Sequence, residues 1–425
     1  MQCAESDLDT LGYACRHFVV KPNKSLGDHD PISYRGTVSE SAGSIEGVRQ
    51  GNLARIVRLI HVEGPQSRAN LTEATGLNRS TVADLVGELV RGGIVEERAP
   101  DPSRRVGRPS PVVVPAAGLL AIAANPEVDA LEIAAVGLDR SIPVRERIEF
   151  HRLVTPEETA MLIASTIESW RAGALADARI VSVGVAVPGL VRSWDGLVRN
   201  APHLQWTDAP LRDLVAEATG LPTVVDNDAT LGTIAEHLFG AAQGLDDVVY
   251  LNGGASGIGG GLIVNGMPVV GAGGYAGEFG QNRPGIANET DRRAHNGVLE
   301  DEVSRARLLA VLGMTSGDDT ALAEAIAAST SPEVSDEVAR QRRILATALA
   351  NAVNVLNPSA IVLGGFLATI AESDPDELRQ LVSRRSMSAS AEDLEVRSAA
   401  LAQDRLLIGA AESAFSALLR DPLSV

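Results

Sequence analysis

From about Leu119 to its end, the 425-residue chain alternates short apolar runs with stretches of helical period. LLAIAA, LEIAAVGL, IVSVGVAV, PTVVDND, DVVYLNGG, GGLIVNG and AIVLGG read as strands. Residues 156–171, 208–219, 229–240, 299–312, 334–356 and 403–419 read as helices. Alternation sustained over about 300 residues selects an α/β architecture. That length of chain is expected to form two sheet-centred lobes rather than one.

Residues 49–115 follow a different pattern. Leu53, Ile56, Val57, Ile60 and His61 recur at helical spacing until Gly64-Pro65 stops the run. Ser67 is placed to cap a second helix that reaches Thr75 and closes at Gly76. Asn78 is placed to cap a third, whose Val82, Leu85, Val86 and Leu89 share one face before Gly92-Gly93. TEATGLNRSTV therefore has the spacing of a helix-turn-helix. The following IVEERAPDPSRRVGRPSPVVV reads as two extended pieces around an arginine-rich tip, the wing of a winged helix.

Charge supports a nucleic-acid partner for this segment alone. Residues 49–110 carry ten basic and seven acidic groups, whereas residues 111–425 carry 23 and 41, within a net charge of -18. A double-stranded DNA operator is the expected partner, contacted by Arg68, Asn78, Arg79, Ser80 and Thr81, and by Arg104, Arg105 and Arg108 of the wing. Asp84 and Glu88 lie further along the same helix and would repel phosphates if they faced the groove.

Residues 1–48 mix Gly, Ser, Pro and charge without a period and read as a disordered tail. No uninterrupted apolar stretch is long enough for a membrane span, and the start lacks a secretory h-region. A cytoplasmic protein with no membrane partner is expected. Both cysteines, Cys3 and Cys15, and both lysines, Lys21 and Lys24, fall in this stretch. The body of the chain therefore has no thiol for a disulfide or cysteine-zinc framework, and no lysine for a P-loop or Schiff base.

Three polar clusters stand out in the α/β region. In VVDNDATLGTIAE, Asn227 and Asp228 sit at a strand-to-helix turn, where they offer a mixed donor and acceptor edge to vicinal hydroxyls, and Asp228 could serve as a base. The same pair also reads as a helix cap. YLNGGASGIGGGLIVNG is a glycine-rich hairpin, and GAGGYAGEFGQ supplies Glu278 and Gln281 shortly before Glu300 opens a helix. Carboxylates and amides from separate segments would form a cleft suited to polyols and poorly suited to anions.

Taken in order, a winged helix ending in GRP, then GVAVPGLV, DNDATLGTIAEHLFG, DVVYLNGGASGIGGGLIVNG, GAGGYAGEFGQ and NPSAIVLGGFLA give the chain a clear likeness. Over residues 50–420 it resembles the ROK family of repressors, open reading frames and sugar kinases, in its transcription-factor branch of xylose-repressor type. The resemblance implies a two-lobed actin-like ATPase, ribonuclease-H-like core over residues 116–425, following a winged helix-turn-helix over residues 49–115. It implies a sugar between the lobes, held by Asn227, Asp228, Glu278, Glu300 and Gln281, the last where a histidine is usual, with the Val187-Pro188-Gly189 turn nearby. Asp228 matches the base of the kinases.

Two departures qualify that likeness. The kinases open their core with an Asp-x-Gly-x-Thr phosphate loop, but here the region reads LAIAANPEVDALEIAAV, with no glycine between Gly118 and Gly137. Without amides to hold phosphates, neither ATP binding nor a catalytic role for any residue is expected. The family commonly binds zinc through a histidine and a CxCGxxGC stretch. The corresponding GQNRPGIANETDRRAHNGVLE has no cysteine and a single histidine, His295, so no metal is expected. The implied protein is a DNA-binding transcriptional regulator of sugar-metabolism genes, a repressor in the first reading, with a sugar effector and a homodimeric or homotetrameric assembly. The alternatives are a sugar kinase with a DNA-binding head and a degenerate core that binds no sugar.

Overall fold

The computed structural model describes residues 45–99, 111–254, 256–295 and 297–424. Its first part contains α1 (Ile45–Glu63), β1 (Gln66–Ser67), α2 (Arg68–Thr75), α3 (Arg79–Arg91), β2 (Val95–Arg98) and β3 (Val112–Pro115). α1 begins at Ile45, inside the stretch read as tail. The caps fall where the sequence puts them: Ser67 accepts the Asn70 amide, Gly76 closes α2 at φ 70°, and Asn78 accepts the Thr81 amide. The strands pair antiparallel in the order β1-β3-β2. Arg104, Arg105 and Arg108 lie outside the described residues.

The first lobe follows: β4 (Leu119–Pro126), β5 (Ala130–Gly137), β6 (Val144–Glu149), α4 (Pro156–Arg171), β7 (Arg179–Val187), β8 (Leu190–Arg192), β9 (Leu197–Ala201), β10 (Trp206–Ala209), α5 (Leu211–Thr219), β11 (Thr223–Asn227) and α6 (Asp228–Phe239). Its main sheet has the order β11-β7-β4-β5-β6, in which β4 runs antiparallel to β5 and parallel to β7. β4 is apolar from Leu119 to Ala124 because helices cover both sides of it. Leu119, Ala121 and Ala123 enter one core, while Leu120, Ile122 and Ala124 enter the other, which includes Ile163 and Trp170 of α4 and Val215 of α5.

The second lobe holds β12 (Val248–Gly254), β13 (Gly257–Val264), β14 (Met267–Pro268), α7 (Leu299–Glu302), α8 (Arg305–Val311), α9 (Asp319–Ala328), α10 (Pro332–Leu356), β15 (Ala360–Gly365), α11 (Phe366–Ser373), α12 (Pro375–Arg385), α13 (Ser388–Ala391) and β16 (Glu395–Ser398). Its sheet order is β14-β13-β12-β15-β16. The last helix, α14 (Arg405–Arg420), returns to the first lobe and packs on β7, β4 and α6. The single helix expected over 299–312 is two. Val303 is extended at φ -103°, and the Gln341 side chain takes both backbone groups of Ser304, at 3.0 and 3.1 Å.

Only Ala116, Ala117 and Gly118 separate β3 from β4. Even these are tied down, since the Ala116 amide donates to Ile94 O and the Arg179 amide to Gly118 O. One apolar cluster runs without a break from Ile56, Leu71 and Leu89 of the head to Leu407, Phe415 and Leu418 of α14. At its edge, buried His61 of α1 contacts Leu138 O through Nδ1 at 2.5 Å and Glu412 through Nε2 at 2.6 Å.

Candidate functional site

The cleft between the lobes forms a cavity of about 440 Å³, within the usual range for small-molecule sites. Asn227, Asp228, Glu278, Gln281 and Glu300 all line it, so five residues read from separate segments meet in one place. Pro188 and Gly189 form part of the wall, as the position of their turn implied.

Each side chain is positioned by a local feature of the chain. Asn227 ends β11 and caps α6: its Oδ1 accepts the Thr230 amide at 2.9 Å, and its Nδ2 donates to Gly189 O at 2.9 Å. The helix-cap role therefore uses its acceptor. Asp228 opens α6 with Oδ1 accepting the Ala229 amide at 2.8 Å, which leaves Oδ2 for a ligand. Burial pushes its carboxyl up to about 6, opposed by that amide and the charge of Arg405 and reinforced by Glu127. Burial likewise raises Asp226, two residues earlier in β11, to about 6.

On the opposite wall, Glu278 precedes a 3-10 turn that ends in Gln281. Gln281 Nε2 donates to Glu300 Oε1 at 2.6 Å, and the Ile258 amide donates to Glu300 Oε2 at 3.2 Å. Burial, then repulsion by Asp228 and Glu300, raises Glu278 above the ordinary glutamate range. Two glycines allow this approach. Gly257 has φ +132° and a Cβ there would lie 2.4 Å from Glu300 Oε2, while one at Gly280 would lie 2.2 Å from Ile258 O. Within the glycine-rich hairpin, Gly257 is thus required by the carboxylate, whereas Gly259 and Gly261 are required by Ala229 and Thr233 of α6.

The sequence reading missed Asn200, His203, Asn252 and Ser256, which also line the cavity. Asn252 is buried, and its Oδ1 has no hydrogen-bond partner among the described residues. Its place in the LNGG run was a usable signal. The loop that brings in His203 had none.

In the head, Asn78, Arg79 and Ser80 are exposed and Thr81 is half-buried at the start of α3. Arg79 has no ion-pair partner among the described residues. Arg68, in contrast, is held by Glu97 of β2, through Nε at 2.6 Å and Nη2 at 2.8 Å. Glu88 is drawn to Arg49 of α1 and away from the start of α3. Asp84 stays exposed.

Two α/β lobes around a cleft of acids and amides, with a three-helix head fused to one lobe, define the class: a two-lobed α/β protein carrying a small helical domain. Residues 128–416 match the ROK family, and the chain belongs to it. It is 26% identical over 372 residues to the xylose repressor of Caldicellulosiruptor bescii, covering 84% of this chain and 93% of that one. It is 28% identical over 346 residues to the DNA-binding transcriptional dual regulator NagC of Escherichia coli, covering 78% of this chain and 84% of that one. Among solved structures, a ROK family transcriptional regulator, a homolog of the E. coli MLC protein, shares the fold with a TM-score of 0.70. The identity there is 24%, over 88% of this chain and 98% of the other.

Proposed function

We propose that this chain is a DNA-binding transcriptional repressor whose effector is a neutral sugar bound between the lobes. The observation that carries the proposal is the continuous apolar core joining a helix-turn-helix head to the lobe that holds the cleft. The head has the strand order and helix spacing of a winged helix, with Arg79 at the N-terminal end of the recognition helix. The likeness to proteins named xylose repressor covers 84–85% of this chain, more than the core alone.

A sugar fits the chemistry of the cleft. Asp228 Oδ2 and Glu278 are acceptors for vicinal hydroxyls. Asn227, Gln281 and Glu300 complete the set by holding the walls. On this reading, a sugar that draws the lobes together moves α6, and with it α14. Gly409 of α14 lies so close to α6 that a Cβ would come within 2.3 Å of Leu231 O. α14 in turn holds α1 through Glu412 and His61. In a homodimer or homotetramer on a two-fold operator, such a shift changes head spacing and hence DNA affinity.

The turn between β4 and β5 argues against a kinase. The Glu127 amide is used by Ala130 O at 2.7 Å, and the Glu127 and Asp129 carboxylates pair with Arg147. An acidic turn whose amide is already engaged offers no cradle for phosphate, so we assign no ATP and no catalytic residue. Nor do we assign a metal.

The test starts by selecting duplexes from a randomised pool with the full chain. Affinity for the selected duplex is then measured with and without D-xylose, D-glucose or N-acetylglucosamine. The expected outcome is enrichment of a two-fold symmetric site, weaker binding by Arg79→Ala, and one sugar that changes affinity. ATP-dependent phosphorylation of any of the three, or no enrichment at all, would overturn the proposal.

A further inference from the structure

The segment from Asn282 to Val298 links the two cleft carboxylates Glu278 and Glu300, yet its described residues form almost no secondary structure of their own. Glu300 itself rides on α7, a helix of four residues that cannot hold a fixed orientation unaided. Zinc, which the family resemblance implies for this loop, does not suit the donors present. They include no thiol, and His295, the one histidine, is exposed. No group of three or more metal-ligating side chains is found among the described residues.

A buried cation is present here nonetheless. Arg340 of α10 is 2% exposed, and all five of its N–H groups are engaged. Nε and Nη2 donate to the Glu337 carboxylate at 2.8 and 2.7 Å, Nη1 to Glu302 Oε2 at 3.1 Å and to Asp291 O at 2.8 Å, and Nη2 to Glu302 O at 2.7 Å. The Glu302 carboxylate then accepts the Arg293 amide at 2.9 Å and the Ala294 amide at 2.9 Å. A second arginine of α10, Arg343, grips Asp291 at 3.1 and 2.7 Å. The loop is closed at its neck by the Leu299 amide on Asn282 O at 2.8 Å.

We propose that Arg340 and Glu302 form a metal-free clamp that orders the segment from Asn282 to Val298 and thereby aims Glu300 into the cleft. Glu302 lies two residues beyond Glu300 on the same short helix. Fixing the first against α10 fixes the direction of the second. Arg340 and Glu302 are positioning residues, because Arg340 touches neither the cavity nor anything in it. Full burial of both charges makes the arrangement intolerant of a missing partner. This inference rests on the sugar reading only for its ligand arm, since the ordering of the loop can be measured independently.

The experiment uses the full chain, Arg340→Met, Arg340→Lys and Glu302→Gln. Hydrogen exchange is followed by mass spectrometry, and affinity for D-xylose, D-glucose and N-acetylglucosamine by calorimetry. Arg340→Met should speed exchange across residues 282–298 by roughly tenfold or more while β12 and β15 stay protected. It should weaken binding of the sugar that wild type accepts by a similar factor. Arg340→Lys keeps the charge but not the fork and should fall between the two. A zinc chelator should leave the wild-type loop unchanged. Unchanged loop exchange in a folded Arg340→Met or Glu302→Gln would overturn the clamp, as would a loop that opens on chelation. If Arg340→Met fails to fold, Glu302→Gln, which leaves the Arg340–Glu337 pair intact, decides the question. A wild type that binds none of the three sugars would defeat the sugar reading, and the exchange arm would still decide the clamp.

Discussion

Asp228 shows how one carboxyl can serve two purposes at the mouth of a helix. Its Oδ1 is spent on the Ala229 amide and its Oδ2 is left for a ligand, while burial holds it near pH 6. A hydroxyl bound to that oxygen prefers the ionised form. Sugar affinity should therefore be level above about pH 6 and fall as pH drops below it. Calorimetry from pH 5 to pH 8 checks this, and affinity that rises on acidification would contradict it. Asp228→Ala should cost about two orders of magnitude in affinity, the value of one or two charge-assisted hydrogen bonds. His61 behaves in the opposite sense. Burial pushes its pKa down, but the Glu412 charge and hydrogen bond, with the Leu138 carbonyl, outweigh this and hold it above 6.5. The stability contributed by the pair is complete below 6.5 and is lost as pH rises through the folded value. The gap in unfolding midpoint between wild type and His61→Gln should accordingly shrink from pH 6 to pH 9, and a constant gap would show that the charge is not involved.

At the scale of elements, α14 is the part on which the arrangement depends most. It is wedged against β7 so closely that a Cβ on Gly184 would lie 1.9 Å from Ala410 O, a backbone atom that cannot swing aside. Gly184→Val should therefore destabilise the chain by about 3 kcal/mol or more, read as a lower denaturant midpoint. A variant as stable as wild type would mean that α14 shifts freely. The sequence revealed this helix and most others because their apolar stripes are long. β4 and β15 were equally legible, being apolar on both faces. It did not reveal β6, whose Arg145, Glu146 and Arg147 sit on a half-exposed edge, or β8, β9 and β10, which are short and carry Arg192, Asn200 and Asp208. The five cleft residues were legible from motif, whereas Asn200 and His203 reach the cavity only through tertiary folding. Likewise, nothing in the linear chain pairs Glu88 with Arg49, or Arg340 with Glu302.

At the scale of the whole molecule, head and first lobe are joined by a three-residue connection and a shared core. A flexible tether would let each part bind its ligand in ignorance of the other; a rigid join makes the two binding events one equilibrium. That is the central claim, and linkage gives it a strict test. The measurement is a closed cycle: Kd of the full chain for its selected duplex with and without the sugar it accepts, and Kd for that sugar with and without the duplex. The account predicts a change of about tenfold or more, equal in both directions. Binding of both ligands with neither affecting the other would contradict it.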